Sequence, residues 1–311
     1  MELTYGRVCF PLGLLGARAT PRRMCRFRCA LLTLGLLGLL GCGDPALGRD
    51  ALEVSSSSEA LCEGASLGPR GVAVATGLAD TSTLEGMADA EARIAELAAT
   101  FTTCGDRRGV FAVVYRPITR RAVEAFGAGE FEDPAFGERL IVAFAKRYLD
   151  AVHASLSGAG SLPAWRRFDE LASNEDVGTL RVVATGVASH LLLDLPSALV
   201  DAGAAAANRA DYDLFGELLV DETPVLVADL GASFGVDAAP LFDGFFLGDW
   251  IDGAFGEDVT RTFVFQTIRL KAWRNRWLMQ HGMGPIAKAE MAASFATVDA
   301  ALAGLDASGV L

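Results

Sequence analysis

The sequence predicts an all-α protein, a single helical domain of about eight helices placed behind a lipoprotein-type export signal and a flexible tether. Three observations carry that expectation. From Ser82 onward, apolar residues recur at three- and four-residue spacings in segment after segment, the period of a helix. No alternating strand pattern persists beyond Val225-Leu226-Val227. The first 41 residues pair a basic flank with a short apolar run, which reads as an address rather than as part of a fold.

That run, Ala30 to Gly41, reads ALLTLGLLGLLG and follows Arg22, Arg23, Arg26 and Arg28. A membrane span needs about 20 apolar residues, so this one is too short. It has the length of a signal-peptide core. It ends Leu39-Leu40-Gly41-Cys42, which resembles the box cut by lipoprotein signal peptidase, with small Gly41 before the cut and Cys42 as the residue that takes the lipid. Residues 1–23 are unlike a signal n-region, whereas Met24 opens a compact one and is the alternative start. The expectation is a cell-envelope protein facing the periplasm or the cell surface, with the membrane as partner through the lipid on Cys42. Residues 42–80, with Ser55 to Ser58 and Gly64, Gly68 and Gly71, read as lipidated Cys and tether. The domain then covers 81–311.

The formal net charge is −12. The first 41 residues hold six basic residues and one acidic, which leaves 21 basic against 38 acidic residues, a net charge of about −17 for the remainder. A surface so negative repels phosphate backbones and anionic lipid headgroups, which excludes nucleic acid as a partner. Cys9, Cys25 and Cys29 leave with the signal and Cys42 takes the lipid. Cys62 and Cys104 remain, an even pair in an oxidising compartment; a disulfide there would pin the tether to the first helix, and two free thiols are the alternative. Neither a CxxC nor the Cys/His spacing of a zinc site occurs.

The helices follow in order. Residues 83–103 place Leu84, Met87, Ile94, Leu97 and Phe101 on one stripe, and 109–127 do the same with Val110, Val113, Val114, Ile118 and Phe126. Asp133-Pro134 is a capping residue followed by proline at the first helical position, and opens a helix to about 156. Ser161-Leu162-Pro163 opens a short helix across Trp165 and Phe168. The longest element, about 176–206, is interrupted by Pro196. A helix from Tyr212 to about Leu230 comes next, then a pair over about 259–281 and 286–305 with Gly282 and Gly284 at the turn.

Four stretches also carry a likeness: Phe111 to Thr119 (FAVVYRPIT), Phe131 to Leu149 (FEDPAFGERLIVAFAKRYL), Gly186 to Leu195 (GVASHLLLDL) and Arg269 to Trp273 (RLKAW). In this order and spacing, over about residues 105–280, the chain resembles an uncharacterised bacterial family, domain of unknown function 5995. The family signature Gly-x-Asn-Ala-His-Ile-Asn-x-Asp-Leu is matched by Gly186, His190, Asp194 and Leu195. Its two asparagines are Ala188 and Leu192 here. A downstream Asp-aromatic motif survives as Asp211-Tyr212, but the asparagine that should follow is Gly216 or Glu217. The resemblance implies a helical fold and a position to inspect. If the family is enzymatic, the missing asparagines imply a lost activity or a changed ligand.

His190 and Asp194 are four apart and project from one helical face. Their neighbours Val187, Leu191, Leu192, Leu193 and Leu195 are apolar, so the helix is central and the carboxylate must be paired or bound to a cation. Pro196 cannot donate to the Leu192 carbonyl, and the helical line continues to Ser197 and Asp201. Several readings stay open. The pair could hydrogen-bond within itself and to a facing Tyr115 or Arg147. It could be a metal-free ligand or catalytic site. It could hold a divalent metal, with Asp211, Asp213 or Asp150 completing the shell, and generate hydroxide for hydrolysis. Only His153, His190 and His281 occur, so such a shell would be carboxylate-rich and ill suited to zinc. Arg269 and Trp273, one turn before Trp277, with Tyr115, Tyr148 and Trp165, are candidates to line the same cavity.

Gly231-Ala232-Ser233-Phe234-Gly235 matches G-x-S-x-G, with Asp243, Asp249, Asp252 and then His281 downstream in the order of a serine hydrolase. That motif needs a strand-to-helix elbow, and the preceding residues read as helices, so a loop between helices is the stronger reading. The function favoured is a non-catalytic helical module that binds an apolar small molecule or an envelope partner. A metal-dependent hydrolase using His190 and Asp194, supported by Asp211, is the alternative, and a serine hydrolase at Ser233 the minor one.

Overall fold

The computed structural model describes residues 61–242 and 263–311. The export signal, Cys42, the tether up to residue 60, and Asp243, Asp249 and Asp252 lie outside the described residues.

Entry into the fold comes earlier than the sequence suggests. Residues 61–80, read as tether, form a two-stranded antiparallel hairpin, β1 (Cys62–Glu63) and β2 (Ser66–Leu67), followed by the helix α1 (Pro69–Leu78). Of the residues that suggested slack, Gly71 has a specific place. Leu67 is buried and its N–H donates to Asp106 Oδ2 at 3.0 Å. Gly71 lies against the Leu61 carbonyl, where a Cβ would come within 2.3 Å of the oxygen. Cys62 and Cys104 are joined by a disulfide that closes a separation of 42 residues.

The rest is helical: α2 (Met87–Thr103), α3 (Val110–Gly127), α4 (Pro134–Ser157), α5 (Pro163–Ala172), α6 (Thr179–Ser189), α7 (Leu195–Asp201), α8 (Arg209–Asp221), α9 (Thr223–Phe234), α10 (Phe263–Gln280) and α11 (Gly284–Ala307). The fold is all-α, with eleven α-helices among the described residues. Eight were expected. Besides α1, the extra helices come from two prolines. Pro224 offers no N–H to the preceding turn, and the segment read as one helix across 212–230 breaks at Glu222 into α8 and α9. Val225 to Val227 therefore lie within a helix. Pro196 acts differently: the helix runs on through it, by way of a π-helical turn at His190–Asp194 that joins α6 to α7.

Local chemistry sets the boundaries. Asp133 accepts from the Phe136 N–H at 3.1 Å, Pro134 occupies the first turn of α4, and Gly158 ends it with a positive φ of 72°. The continuous segment Thr179–Asp201 is long and apolar enough to cross a membrane, yet 89% of its apolar window is buried inside the fold. It is the central element, packed against α3, α4, α5, α10 and α11. Arg181, 1% exposed on α6, is held by Asp299 of α11, whose carboxylate and carbonyl it reaches, and donates to Thr185 Oγ1 at 2.6 Å. The buried charge is thus neutralised by the last helix.

The disulfide removes loop entropy from the unfolded chain. For a closure of 42 residues the contribution is about 3–4 kcal/mol. Replacing Cys62 and Cys104 together by alanine should lower the urea midpoint by that amount of free energy while leaving the helical circular dichroism unchanged.

Candidate functional site

The site begins with the π turn. Leu195 donates its N–H to the His190 carbonyl, five residues back, instead of continuing the four-residue ladder. Pro196 follows, and the wider turn accommodates a ring that would crowd a regular helix. His190 and Asp194 are both 2% exposed. His190 Nδ1 lies 2.9 Å from Asp194 Oδ2, and Trp165 Nε1 on α5 donates to the same oxygen at 3.0 Å. The carboxylate has a donor from its own helix and another from a facing one, which is what a buried carboxylate requires.

The imidazole is packed in aromatic rings. Phe144 stacks on it with centroids 3.7 Å apart and planes 13° off parallel. Tyr115 and Phe111 meet it edge-on at 4.6 and 5.1 Å. Burial pushes the His190 pKa below its ordinary value, and the Asp194 carboxylate opposes that shift without reversing it. The ring is therefore neutral at pH 7. The carboxylate beside Nδ1 fixes the proton there, so Nε2 is a bare acceptor. Nε2 is buried without a hydrogen-bond partner. The His190 ring also borders an apolar cavity of about 30 Å³ bounded by Phe111, Val114, Tyr115, Phe144, Leu191, Leu226 and Phe242, among others.

Of the other residues singled out by sequence, Tyr115 belongs to this cavity, and burial raises its phenol pKa well above the usual value. Tyr148 does not. Its buried hydroxyl also lacks a partner, but it lines a separate recess with Arg108, Ser155 and Asp169. Burial pushes the Asp169 carboxyl up to about 6. Arg147 does not face His190; it pairs with Asp201, and Ser197 Oγ donates to the Leu193 carbonyl at 3.0 Å. Trp165, expected only as a cavity wall, is the direct donor to Asp194. The indole N–H was visible in the sequence, but the packing of α5 on α6 and the π turn was not.

Asp211 is not a ligand to anything near His190. Its two oxygens accept the backbone N–H groups of Glu132 at 2.6 Å and Asp133 at 2.9 Å, bracing the start of α4. Asp213 pairs with Arg209 at 2.8 Å, and Asp150 with Lys146 at 2.7 Å. The metal shell expected from His190, Asp194 and one of these aspartates does not assemble, and no group of three or more His, Cys, Asp or Glu is placed to hold a metal among the described residues.

Arg269 and Trp273 build a cation-aromatic pile beside the cavity rather than its wall. The Arg269 guanidinium sits over Tyr212 at 4.5 Å and donates to the Tyr212 carbonyl, while the Tyr212 hydroxyl donates to the Arg269 carbonyl at 2.8 Å. Trp273 stacks on Tyr212 at 4.9 Å, with Arg276 over its ring at 4.0 Å. Gly216 makes the pile possible: a Cβ there would lie 2.0 Å from the Arg269 Cζ. Ser233 lies in the last turn of α9, which Gly235 ends at φ 68°. A helix precedes it instead of a strand, so the hydrolase elbow is not formed. His281 is exposed and stacks on Trp277 at 4.4 Å.

These geometries give two expected outcomes. The folded pKa of His190 is depressed, so the unfolded chain binds its proton first. Stability from this group is complete above about pH 6.5 and is lost as pH falls below that toward the folded value. Asp169, raised to about 6, acts in the opposite sense at lower pH. Urea titrations from pH 7.5 down should therefore show a loss of stability that is shallower in His190→Phe. Gly216→Ala must displace the buried Arg269 head, and should cost about 2–4 kcal/mol in the same assay.

Neither the curated proteins nor the solved structures give a match to this chain. A family of unknown function (DUF5995) matches over residues 87–305, a span wider than the sequence likeness suggested and one that takes in every described residue of the His190 site. The chain belongs to that family.

Proposed function

We propose that this chain is a lipid-anchored envelope protein whose helical domain binds a slender apolar ligand through one terminal O–H or N–H donor. The observation that carries the reading is an apolar cavity bordered by His190, a residue whose Nε2 is buried without a partner. An unmet buried acceptor costs about 1–3 kcal/mol. A guest with a donor at its tip recovers that energy and buries its chain among Phe111, Leu226 and Phe242. Water suits the space less well, since a buried water needs two to four polar partners and the walls are otherwise aliphatic and aromatic side chains. The cavity volume, about 30 Å³, favours a narrow group such as the end of an alkyl chain over a ring.

The same chemistry argues against catalysis. The Asp194 oxygen nearest His190 already accepts two hydrogen bonds, which leaves the imidazole a fixed acceptor rather than a proton shuttle. No nucleophile accompanies it on the cavity wall among the described residues. The anchor rests on Leu39-Leu40-Gly41-Cys42 and the basic flank before it. A disulfide between Cys62 and Cys104 fits the oxidising compartment that such a signal leads to.

Binding of medium-chain 1-alkanols should be compared with that of alkanes of equal length, by thermal shift and calorimetry. Wild type should prefer the alkanol about fivefold, the worth of one hydrogen bond. The preference should vanish in His190→Phe and survive in Trp165→Phe, which keeps Nε2. Equal binding of alkanol and alkane by wild type would overturn the reading. Stoichiometric metal in the purified chain, lost in His190→Ala, would restore the hydrolase alternative.

A further inference from the structure

The outer face of α10 has no partner among the described residues. Leu270, Arg274, Trp277 and His281 are spaced so that all four fall on one narrow stripe of the helix and the turn after it. Leu270 is 54% exposed and Trp277 46%. Ile286, 59% exposed, and exposed Lys288 follow at the start of α11. Solitary exposed apolar residues are ordinary, but a tryptophan and two aliphatic side chains interleaved with cations are not.

The charge pattern is equally local. Between residues 263 and 289 the chain has Arg269, Lys271, Arg274, Arg276 and Lys288 and not one acidic residue, on a protein of net charge −12. Arg269 and Arg276 are buried, and Lys271 pairs with Glu290 at 3.0 Å. Arg274 and Lys288 have no ion-pair partner among the described residues, so their charge faces solvent.

We infer that this stripe is a docking face for an anionic lipid surface. Indole rings favour the headgroup level of a bilayer, and Leu270 and Ile286 supply apolar side chains for the layer just beneath. Arg274 and Lys288 meet lipid phosphates. The inference leans on the anchor proposed above in one respect, that the domain is held near a membrane. From Cys42 to Leu61 the chain spans at most about 65 Å when extended, whereas a helical domain of this length has a radius of gyration of about 18 Å. The anchor therefore permits any face of the domain to reach the bilayer, and the tether raises the local concentration of lipid so that a weak face suffices. Docking α10 would fix which way the domain sits over the membrane.

The test uses the full chain, extracted in detergent and reconstituted into vesicles of phosphatidylcholine with or without phosphatidylglycerol, each with brominated acyl chains. Bromine quenches only indoles near the acyl region. Trp277 should be quenched in the anionic vesicles, read as the difference between wild type and Trp277→Phe, and the difference should fall by an order of magnitude or more in partitioning for Arg274→Glu. Circular dichroism confirms that these surface variants fold. Equal quenching of wild type and Trp277→Phe overturns the inference. So does a self-association in detergent that Trp277→Phe abolishes, since the face then belongs to a second copy. The mass of Cys42 is read on the same preparation. Unmodified Cys42 with Trp277 quenched sinks the anchor and leaves the face, and modified Cys42 without quenching does the reverse.

Discussion

The structure turns on one buried carboxylate. Asp194 sits at the middle of the central helical segment, 2% exposed, and a charge in that position is tolerable only if it is fully met. His190 Nδ1 meets it from the same helix, and that contact spans the π turn. Trp165 meets it from α5, and that contact fixes how α5 lies across the core. The demand of one oxygen thus sets a helix orientation and an imidazole tautomer together. The bare Nε2 is the residue of that arrangement. Its orphaned state is not a packing lapse but the consequence of spending the other nitrogen on Asp194.

How much of this was legible in the sequence depended on the range of the interaction. Short-range signals worked: Asp133-Pro134 marks the start of α4, and the stripes across 87–103 and 110–127 become α2 and α3. His190 and Asp194 project together as their spacing requires, because that relation is internal to one helical segment. Long-range relations were not legible. Nothing in the local pattern says that Asp211 would be consumed by the Glu132 and Asp133 amides, or that Arg147 would leave the core for Asp201. Composition misled over residues 61–80, where glycines suggested slack. The order there comes from Asp106 and Cys104, about 40 residues away. Two prolines with identical local chemistry also diverged, one splitting a helix and the other widening it, because the segment around Pro196 is enclosed by five helices and the one at Pro224 is not so confined.

The departures from the family signature acquire physical meaning in this setting. Ala188 and Leu192, which stand in place of the asparagines, are buried among apolar neighbours. Neither residue is among those that line the cavity beside His190. Gly216 is needed for the Arg269 guanidinium, which could not lie beside a larger residue.

The pairing of Arg181 with Asp299 has a bearing on how the domain is made. The two residues are 118 positions apart, and the guanidinium lies at the start of the helix on which the core is built. A chain emerging end-first from a ribosome or a translocase offers Arg181 long before its counter-charge exists. Until α11 arrives, the central helix carries a cation that cannot be buried, and the apolar surfaces of α3, α4 and α5 have nothing complete to close upon. The last helix, which brings Asp299 to Arg181, is thereby the piece that completes the core.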